Sequence, residues 1–333
     1  MNEKTLDLLV IGAGPSGIAI GAEARKAGLS VLLVDRGPLA ASIIDFPTFL
    51  TFFTTRDKME IAGIPMSIPE DKPTRQQALA YYRSIVERFD VPISLHENVL
   101  LAKKEGVLFR VDSVRDGKPV TRTAKNVAIA TGFFGNPLPL QVPGAELPWV
   151  KRQYIDAYRH FGEQVLVVGG ANSAVKVALE LWRNGVKVTL AVRAPAIRDS
   201  VKFWLKPDIE NRIKEGSIRA FFNTQVTAFN NDPRGTELEE TPPGQPARKI
   251  IVPCDTAFLF IGYQPDTELQ RRCGVNIDTK SLVPQFNPDT CETNVPGLFV
   301  AGTIQAGLDT DRIFIENSRD HGEKIVKRIR SAN

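Results

Sequence analysis

Cysteine is scarce in this chain, with three in 333 residues, at Cys254, Cys273 and Cys291. No two form a CxxC pair, so the spacing encodes neither a disulfide framework nor a thiolate metal site. No apolar run approaches the ~18–20 residues that a membrane span requires. The short run at residues 8–11 lacks the longer apolar region and cleavage site of a signal peptide, so the chain reads as cytoplasmic, with no membrane partner. Charge of one sign is not gathered anywhere. The 42 Lys and Arg against 38 Asp and Glu are interleaved and leave +4, which gives nucleic-acid binding no support. The 43% hydrophobic and 24% charged fractions exclude a disordered or collagenous chain. At ~150 residues per domain, the length suggests about two domains.

What is present begins at once. Residues 6–11 read as a short buried strand ended by glycine. Gly12-Ala13-Gly14-Pro15-Ser16-Gly17 follows, a complete GxGxxG, then a small-residue helix stopped at Gly28 and a second strand, residues 29–34, ending in Asp35. Each part has a reason. Gly12 permits the tight turn, Gly14 lets a pyrophosphate approach the backbone, and Gly17 lets helix and strand pack closely. The helix start presents free N–H groups and positive dipole to phosphate, and Asp35 stands where an acid takes the ribose hydroxyls. Among 25 glycines a bare GxGxxG arises by chance on the order of 0.1 times per chain, so the context of strand, helix and acid decides against a merely structural turn.

The pattern recurs about 157 residues later. Strand residues 164–168 lead into Gly169-Gly170-Ala171-Asn172-Ser173-Ala174, a helix over 175–182 that ends at Gly185, and a strand over 186–192. Alanine replaces the second and third motif glycines. Two such units imply two dinucleotides in one chain. The second ends in Arg193 where the first has Asp35; a carboxylate repels a 2′-phosphate and an arginine attracts it, so this site is expected to favour NADPH. Arg198 would complete a phosphate clamp, and Lys202 is a third candidate. The alternative is a solvated basic cluster on the surface.

With these units in view, the chain resembles the two-dinucleotide-binding flavoproteins of the thioredoxin-reductase-like branch over almost its whole length. Ala130-Thr131-Gly132, Ile261-Gly262-Tyr263-Gln264-Pro265-Asp266, and Thr293 through Leu298-Phe299-Val300-Ala301-Gly302 look like that branch's ATG, GYxPD and second flavin motifs. Within the branch, the YpdA group of bacillithiol disulfide reductases is most similar. The carrying segments are Phe46-Pro47-Thr48-Phe49-Leu50-Thr51-Phe52-Phe53, Asp57-Lys58-Met59, Ile64-Pro65, residues 72–79, Ser200-Val201-Lys202-Phe203-Trp204, Ile313-Phe314-Ile315-Glu316-Asn317 and His321-Gly322.

The resemblance implies an α/β fold of two Rossmann-like, three-layer, parallel-sheet domains. An NADPH domain, residues 135–264, would be inserted in a discontinuous FAD domain, residues 1–134 and 265–333, with hinges near 132–135 and 262–265. It implies FAD contacts at Gly12, Gly14, Pro15, Ser16, Gly17, Asp35, Arg36, Phe52, Phe53, Thr131, Gly132, Gly302, Thr303 and Ile313. It implies NADPH contacts at Gly169, Gly170, Asn172, Ser173, Ala174, Arg193, Arg198, Lys202 and Gly262. The C-terminal helix, after Asp309-Thr310-Asp311-Arg312, would point its start at the flavin. A homodimer or homotetramer is the expected assembly.

Residues 46–53 break helix and strand periods alike and read as an aromatic-lined loop, either part of a core or a wall of the flavin site. Thr74-x-x-Gln77 after Pro73 reads as a capping box. Residues 230–249, rich in Pro and Gly, read as a polar loop between strands that forms a surface hairpin with no catalytic role. His96 and His160 have no motif context, and His321 reads as structural.

Two departures bear on chemistry. The branch's second flavin motif ends Gly-Asp, whereas here it is Gly302-Thr303. In the YpdA group the position of Ser16 is the redox cysteine; thioredoxin reductases carry CxxC in the NADPH domain, and the lipoamide-dehydrogenase type carries CxxxxC. This chain has none of these. Disulfide reduction of this kind needs a thiolate, and a serine hydroxyl cannot replace it. Cys273, beside Arg271 and Arg272, is the one thiol whose neighbours suggest a lowered pKa; otherwise all three read as incidental buried thiols.

The expectation is therefore an FAD-dependent NADPH oxidoreductase with no catalytic side chain and no metal, since NADPH passes hydride to flavin N5 through position alone. Its acceptor would be a small molecule or a small redox protein. The alternatives are a ferredoxin or flavodoxin–NADP reductase, or a flavoprotein that senses NADPH without turnover.

Overall fold

The computed structural model describes residues 5–332. The chain forms two compact units, each with its own core. The first takes the chain up to Asp45, Phe49–Asn136 and everything from Tyr263 onward; the second takes Pro137–Gly262 together with Phe46–Thr48. One unit is therefore inserted in the other along the chain. Phe46–Thr48 groups with the inserted unit because the Thr48 amide donates to the Ile155 carbonyl at 2.8 Å.

In the first unit, five parallel strands lie in the order Ile93–Ser94, Val31–Val34, Leu6–Ile11, Lys118–Ile129 and Leu298–Val300. Leu6–Ile11 is central, and its residues 8–11 are buried, as a strand covered on both faces requires. Lys118–Ile129 changes partners along its length. Its first half joins the antiparallel ribbon of Glu97–Glu105 and Leu108–Arg115, while its last residues run parallel to Leu6–Ile11 and Leu298–Val300. Burial follows the change: residues 118–123 are exposed or half-buried, and Val127, Ala128 and Ile129 are fully buried.

The helix Pro15–Lys26 opens with Pro in its first turn, and Gly28 at φ +73° closes it beyond Ala27. Thr74 and Gln77 form a reciprocal capping box on the helix Arg75–Arg88. The terminal helix runs His321–Ala332. It starts nine residues beyond Arg312 because Ile315–Asn317 first makes a short 3-10 turn.

The second unit holds five parallel strands in the order Arg219–Phe221, Lys187–Ala191, Gln164–Val168, Thr256–Leu259 and Val150–Lys151. The helix Asn172–Arg183 follows the central strand and buries Ala174, Val175, Val177, Ala178, Leu179 and Leu181. Beside this sheet lies an antiparallel sheet of Thr224–Asn231, Arg234–Glu240 and Arg248–Pro253. A hairpin is present, as expected, but it carries more strand than the expected loop over residues 230–249 allowed. Arg234–Glu240 is a strand, with Thr236 and Leu238 turned inward at period two among polar neighbours. The Pro and Gly residues cluster near its ends, leaving the turn at residues 232–233 and the loop at residues 241–247.

In the first unit, Gly322 lets the terminal helix touch the helix Pro15–Lys26. A Cβ on Gly322 would stand 2.8 Å from the carbonyl carbon and oxygen of Ala19. Gly322→Ala is expected to destabilise the fold by about 1–3 kcal/mol through overpacking, read as a lower urea midpoint at unchanged slope.

Candidate functional site

The first glycine-rich turn joins Leu6–Ile11 to Pro15–Lys26, and its glycines differ in what surrounds them. Gly12 has φ +113°, and a Cβ there would lie 2.5 Å from the Ala130 carbonyl oxygen. A Cβ on Gly17 would lie 2.0 Å from the Gly12 carbonyl oxygen, which forces strand and helix into direct backbone contact. Gly14 has no neighbouring heavy atom within 4 Å of where its Cβ would be. Its face is open.

Asp35 lies just past Val31–Val34. One carboxylate oxygen accepts the Ala13 N–H at 2.6 Å and the other accepts the Gly37 N–H at 2.8 Å. Two backbone amides thus fix its orientation beside the turn. A cavity of about 170 Å³ opens here, lined by Gly12, Asp35, Arg36, Thr131 and Gly132 among the expected residues.

Other lining residues carried no sequence signal: Glu97, Asn98 and Leu100 from the antiparallel ribbon, and Asn136 and Arg272 from elsewhere in the unit. Asp35 brings the ribbon there, because its amide donates to Ser94 and its carbonyl accepts from the Glu97 amide. Glu97 is buried. Burial opposes its ionisation, but hydrogen bonds from Ser113 and Ser94 and the Arg122 guanidinium outweigh it and hold the carboxyl below its ordinary range.

Ser16 faces the second motif. A Cβ on Gly302 would stand 2.5 Å from Ser16 Oγ, and one on Gly132 would stand 3.5 Å from Thr303 Oγ1, so these four residues meet. On its other side Gly302 donates its N–H to His321 Nδ1 at 3.1 Å. Burial holds the His321 imidazole down to about 4, against a weaker opposing pull from Asp320. The ring is neutral at pH 7 and its Nδ1 is free to accept.

Phe52 and Phe53 belong to a segment pinned to the start of Arg75–Arg88: Phe52 N–H donates to Pro73, and Arg75 N–H to Leu50. Phe49 is 67% exposed, so the aromatic run is not folded into a core. Phe52, Phe53 and Ile313 do not line the cavity beside Asp35.

The second turn repeats the first. A Cβ on Gly169 (φ +136°) would meet the Phe260 carbonyl oxygen at 2.4 Å, and one on Gly170 would meet Val192 Cγ1 at 2.7 Å. Ala174, at the position of Gly17, is fully buried. Asn172 laces a distant segment onto this turn, with Oδ1 accepting the Lys202 N–H at 3.0 Å and Nδ2 donating to the Ser200 carbonyl at 3.3 Å. The Arg198 N–H donates to the Gly170 carbonyl at 3.3 Å. Arg193 and Arg198 are exposed, and among the described residues neither has an ion-pair partner. Ser173 is exposed at the start of the helix. Gly262, at φ +112°, accepts the Leu138 N–H at the edge of the unit.

All three cysteines are buried, and burial pushes each thiol up. The buried-thiol reading holds for all three. At Cys273, burial outweighs both the Ala102 N–H that its sulfur accepts at 3.3 Å and the pull of Arg272, so the lowered value that its neighbours suggested is not realised. Among the described residues, no group of His, Cys, Asp and Glu is placed to hold a metal ion. Among the described residues, no helix is long and apolar enough to cross a membrane.

Two parallel-sheet units, each opening a helix from a glycine-rich turn, define a Rossmann-type oxidoreductase, and comparison with known proteins agrees. The chain belongs to the pyridine nucleotide-disulphide oxidoreductase family, whose sequence profile matches residues 9–302. It is 34% identical over 322 residues, 96% of each chain, to the bacilliredoxin reductase Bdr of Bacillus subtilis (strain 168). A ferredoxin–NADP reductase of Ignicoccus hospitalis is 27% identical over 304 residues, 90% of each chain. The bacillithiol disulfide reductase Bdr (YpdA) from Bacillus cereus superposes with a TM-score of 0.93 at 34% identity, covering 99% of this chain and all of that one. The Staphylococcus aureus protein of the same name gives 0.90 at 32%, with the same coverage.

The neutral His321 has a pH consequence. Its folded pKa lies below the unfolded value near 6.5, so its contribution is complete above pH 6.5 and is lost as pH falls toward about 4. Between pH 7.5 and 5 the protein is expected to lose about 2 kcal/mol of stability through this group. His321→Asn, which keeps an acceptor for Gly302, removes that part of the slope. Urea midpoints at the two pH values, compared between the two proteins, provide the check.

Proposed function

We propose that this chain is a flavin-dependent oxidoreductase that takes hydride from NADPH onto FAD, with FAD at the first glycine-rich turn and NADPH at the second. The observation that carries the reading is the open face of Gly14. Gly12 and Gly17 are excluded from bearing a side chain by the protein itself, whereas nothing among the described residues crowds Gly14. A pyrophosphate lying against the backbone there would account for the glycine.

The surrounding groups fit such a ligand. Gly14, Pro15, Ser16 and Gly17 start a helix whose first-turn N–H groups lack the acceptors of a preceding turn, and Asp35, fixed by two amides, keeps lone pairs for ribose hydroxyls. Arg36, Thr131 and Gly132 complete that cavity, with Gly302 and Thr303 beyond Ser16; Phe52, Phe53 and Ile313, which lie outside it, would meet the flavin ring farther along. At the second turn, Gly169, Gly170, Asn172, Ser173 and Ala174 would cradle a pyrophosphate, while Arg193 and Arg198, aided by Lys202, would take a 2′-phosphate. Gly262 ends that unit at the proposed hinge. When bound, FAD supplies an N5 that accepts hydride from the nicotinamide and a reduced ring from which an acceptor draws electrons.

The chain's own residues bind, orient and neutralise phosphate; none is needed as an acid or base. Ser16 provides a hydroxyl packed on Gly302, and the three thiols are buried and held protonated, which supports direct electron delivery from flavin to acceptor without a protein thiolate. The similarity to a ferredoxin–NADP reductase favours a small redox protein as the acceptor.

The purified protein is expected to be yellow, to bleach anaerobically with NADPH, and to turn over with ferredoxin or flavodoxin faster than with bacillithiol disulfide or a quinone. Arg193→Ala should raise KM for NADPH about tenfold or more and leave that for NADH nearly unchanged. A colourless protein after gentle purification, or equal effects on the two nucleotides, would sink the corresponding assignment. Rapid turnover with bacillithiol disulfide would overturn the thiol-free route.

A further inference from the structure

An exposed aromatic ring sits at the basic corner of the second unit. Phe203 is 81% exposed, and Trp204 meets it edge to face, with centroids 4.8 Å apart and planes at 86°. A single exposed apolar side chain is ordinary. The setting of this one is not. Its segment is tied at several points to the turn that opens the helix Asn172–Arg183: Arg198 N–H to Gly170, Lys202 N–H to Asn172 Oδ1, and Ser200 carbonyl to Asn172 Nδ2. Val201 and Leu205 are buried on either side, and the Leu205 N–H donates to the Lys202 carbonyl at 2.8 Å, so the backbone that presents Phe203 is anchored.

Charge at this corner is one-sided. Asp199, the acid of the segment, is engaged by Lys206 at 2.6 Å, while Arg193 and Arg198 have no acidic partner among the described residues. An anchored ring beside unneutralised guanidinium groups suits a ligand that joins a flat heteroaromatic base to a phosphate ester.

We propose that Phe203, braced edge-on by Trp204, is the platform on which the adenine of a 2′-phosphorylated dinucleotide stacks, beside the phosphate clamp of Arg193 and Arg198. The proposal rests on the reading of the second turn as the NADPH site and adds a division of labour to it. The arginines discriminate for the 2′-phosphate. Phe203 holds the base common to NADPH and NADH, and so sets affinity without setting preference. Stacking of an aromatic side chain on a base is sequence-tolerant and contributes about tenfold in affinity.

The full-length protein would be titrated by calorimetry with 2′,5′-ADP, which carries adenine and the 2′-phosphate but no nicotinamide, and in parallel with 5′-AMP. Phe203→Ala is expected to weaken both ligands by about tenfold, and Phe203→Trp to restore binding to within about threefold. Arg198→Ala is expected to weaken 2′,5′-ADP far more than 5′-AMP. Should Phe203→Ala bind 2′,5′-ADP within twofold of wild type while Arg198→Ala binds poorly, the platform is wrong and the NADPH assignment stands. If the wild type does not bind 2′,5′-ADP at millimolar concentration, both readings fall. Unchanged affinity with a shift in oligomeric state on gel filtration would assign Phe203 to contact with a second copy of the chain and overturn the proposal.

Discussion

The approach of one backbone to another at Gly12 and Gly17 is the constraint on which the first unit rests. The carbonyl oxygen of Gly12 occupies the space that a Gly17 Cβ would need, and the carbonyl of Ala130 does the same to Gly12. Strand, helix and the end of Lys118–Ile129 are thereby drawn to a single point. The start of the helix Pro15–Lys26 is held against the sheet, Asp35 is brought within hydrogen-bonding range of Ala13, and Ser16 is placed on Gly302. A larger residue at either glycine would open the turn and scatter these groups together.

The second unit solves the same problem less tightly. Ala174 stands where the first unit has Gly17, and Ala171 where it has Gly14. Among the described residues nothing crowds the matching position in the first unit, so the protein itself does not exclude a methyl group there. Gly169 remains glycine because the Phe260 carbonyl covers it and its φ is positive. The compensating feature is Asn172, whose side chain recruits residues 200–202 to the turn and brings basic and aromatic residues with them.

Polar chemistry within the fold is arranged to be inert. Glu97 is buried but neutralised and hydrogen-bonded, His321 is buried and neutral, and each thiol is buried and protonated. None offers a nucleophile or a proton relay. The reactive capacity of an oxidoreductase of this family is then concentrated in what it binds, and the protein contributes position and electrostatics.

Much of this was legible in the residue order. Both glycine-rich turns, their strands, the exchange of Asp35 for Arg193, the Thr74–Gln77 cap and the want of a CxxC pair are local patterns, and local sterics and hydrogen bonding impose them wherever they occur. The strand Arg234–Glu240 was obscured because Pro and Gly at its ends outweighed a short period-two signal. Three things were decided by tertiary structure alone. The ribbon residue Glu97 reaches Asp35 through sheet pairing, burial in the core raises the Cys273 thiol despite the arginine beside it, and His321 meets Gly302 across 19 residues of chain. Each depends on contacts between segments distant in sequence, where direction and burial, rather than the identity of adjacent residues, determine the chemistry.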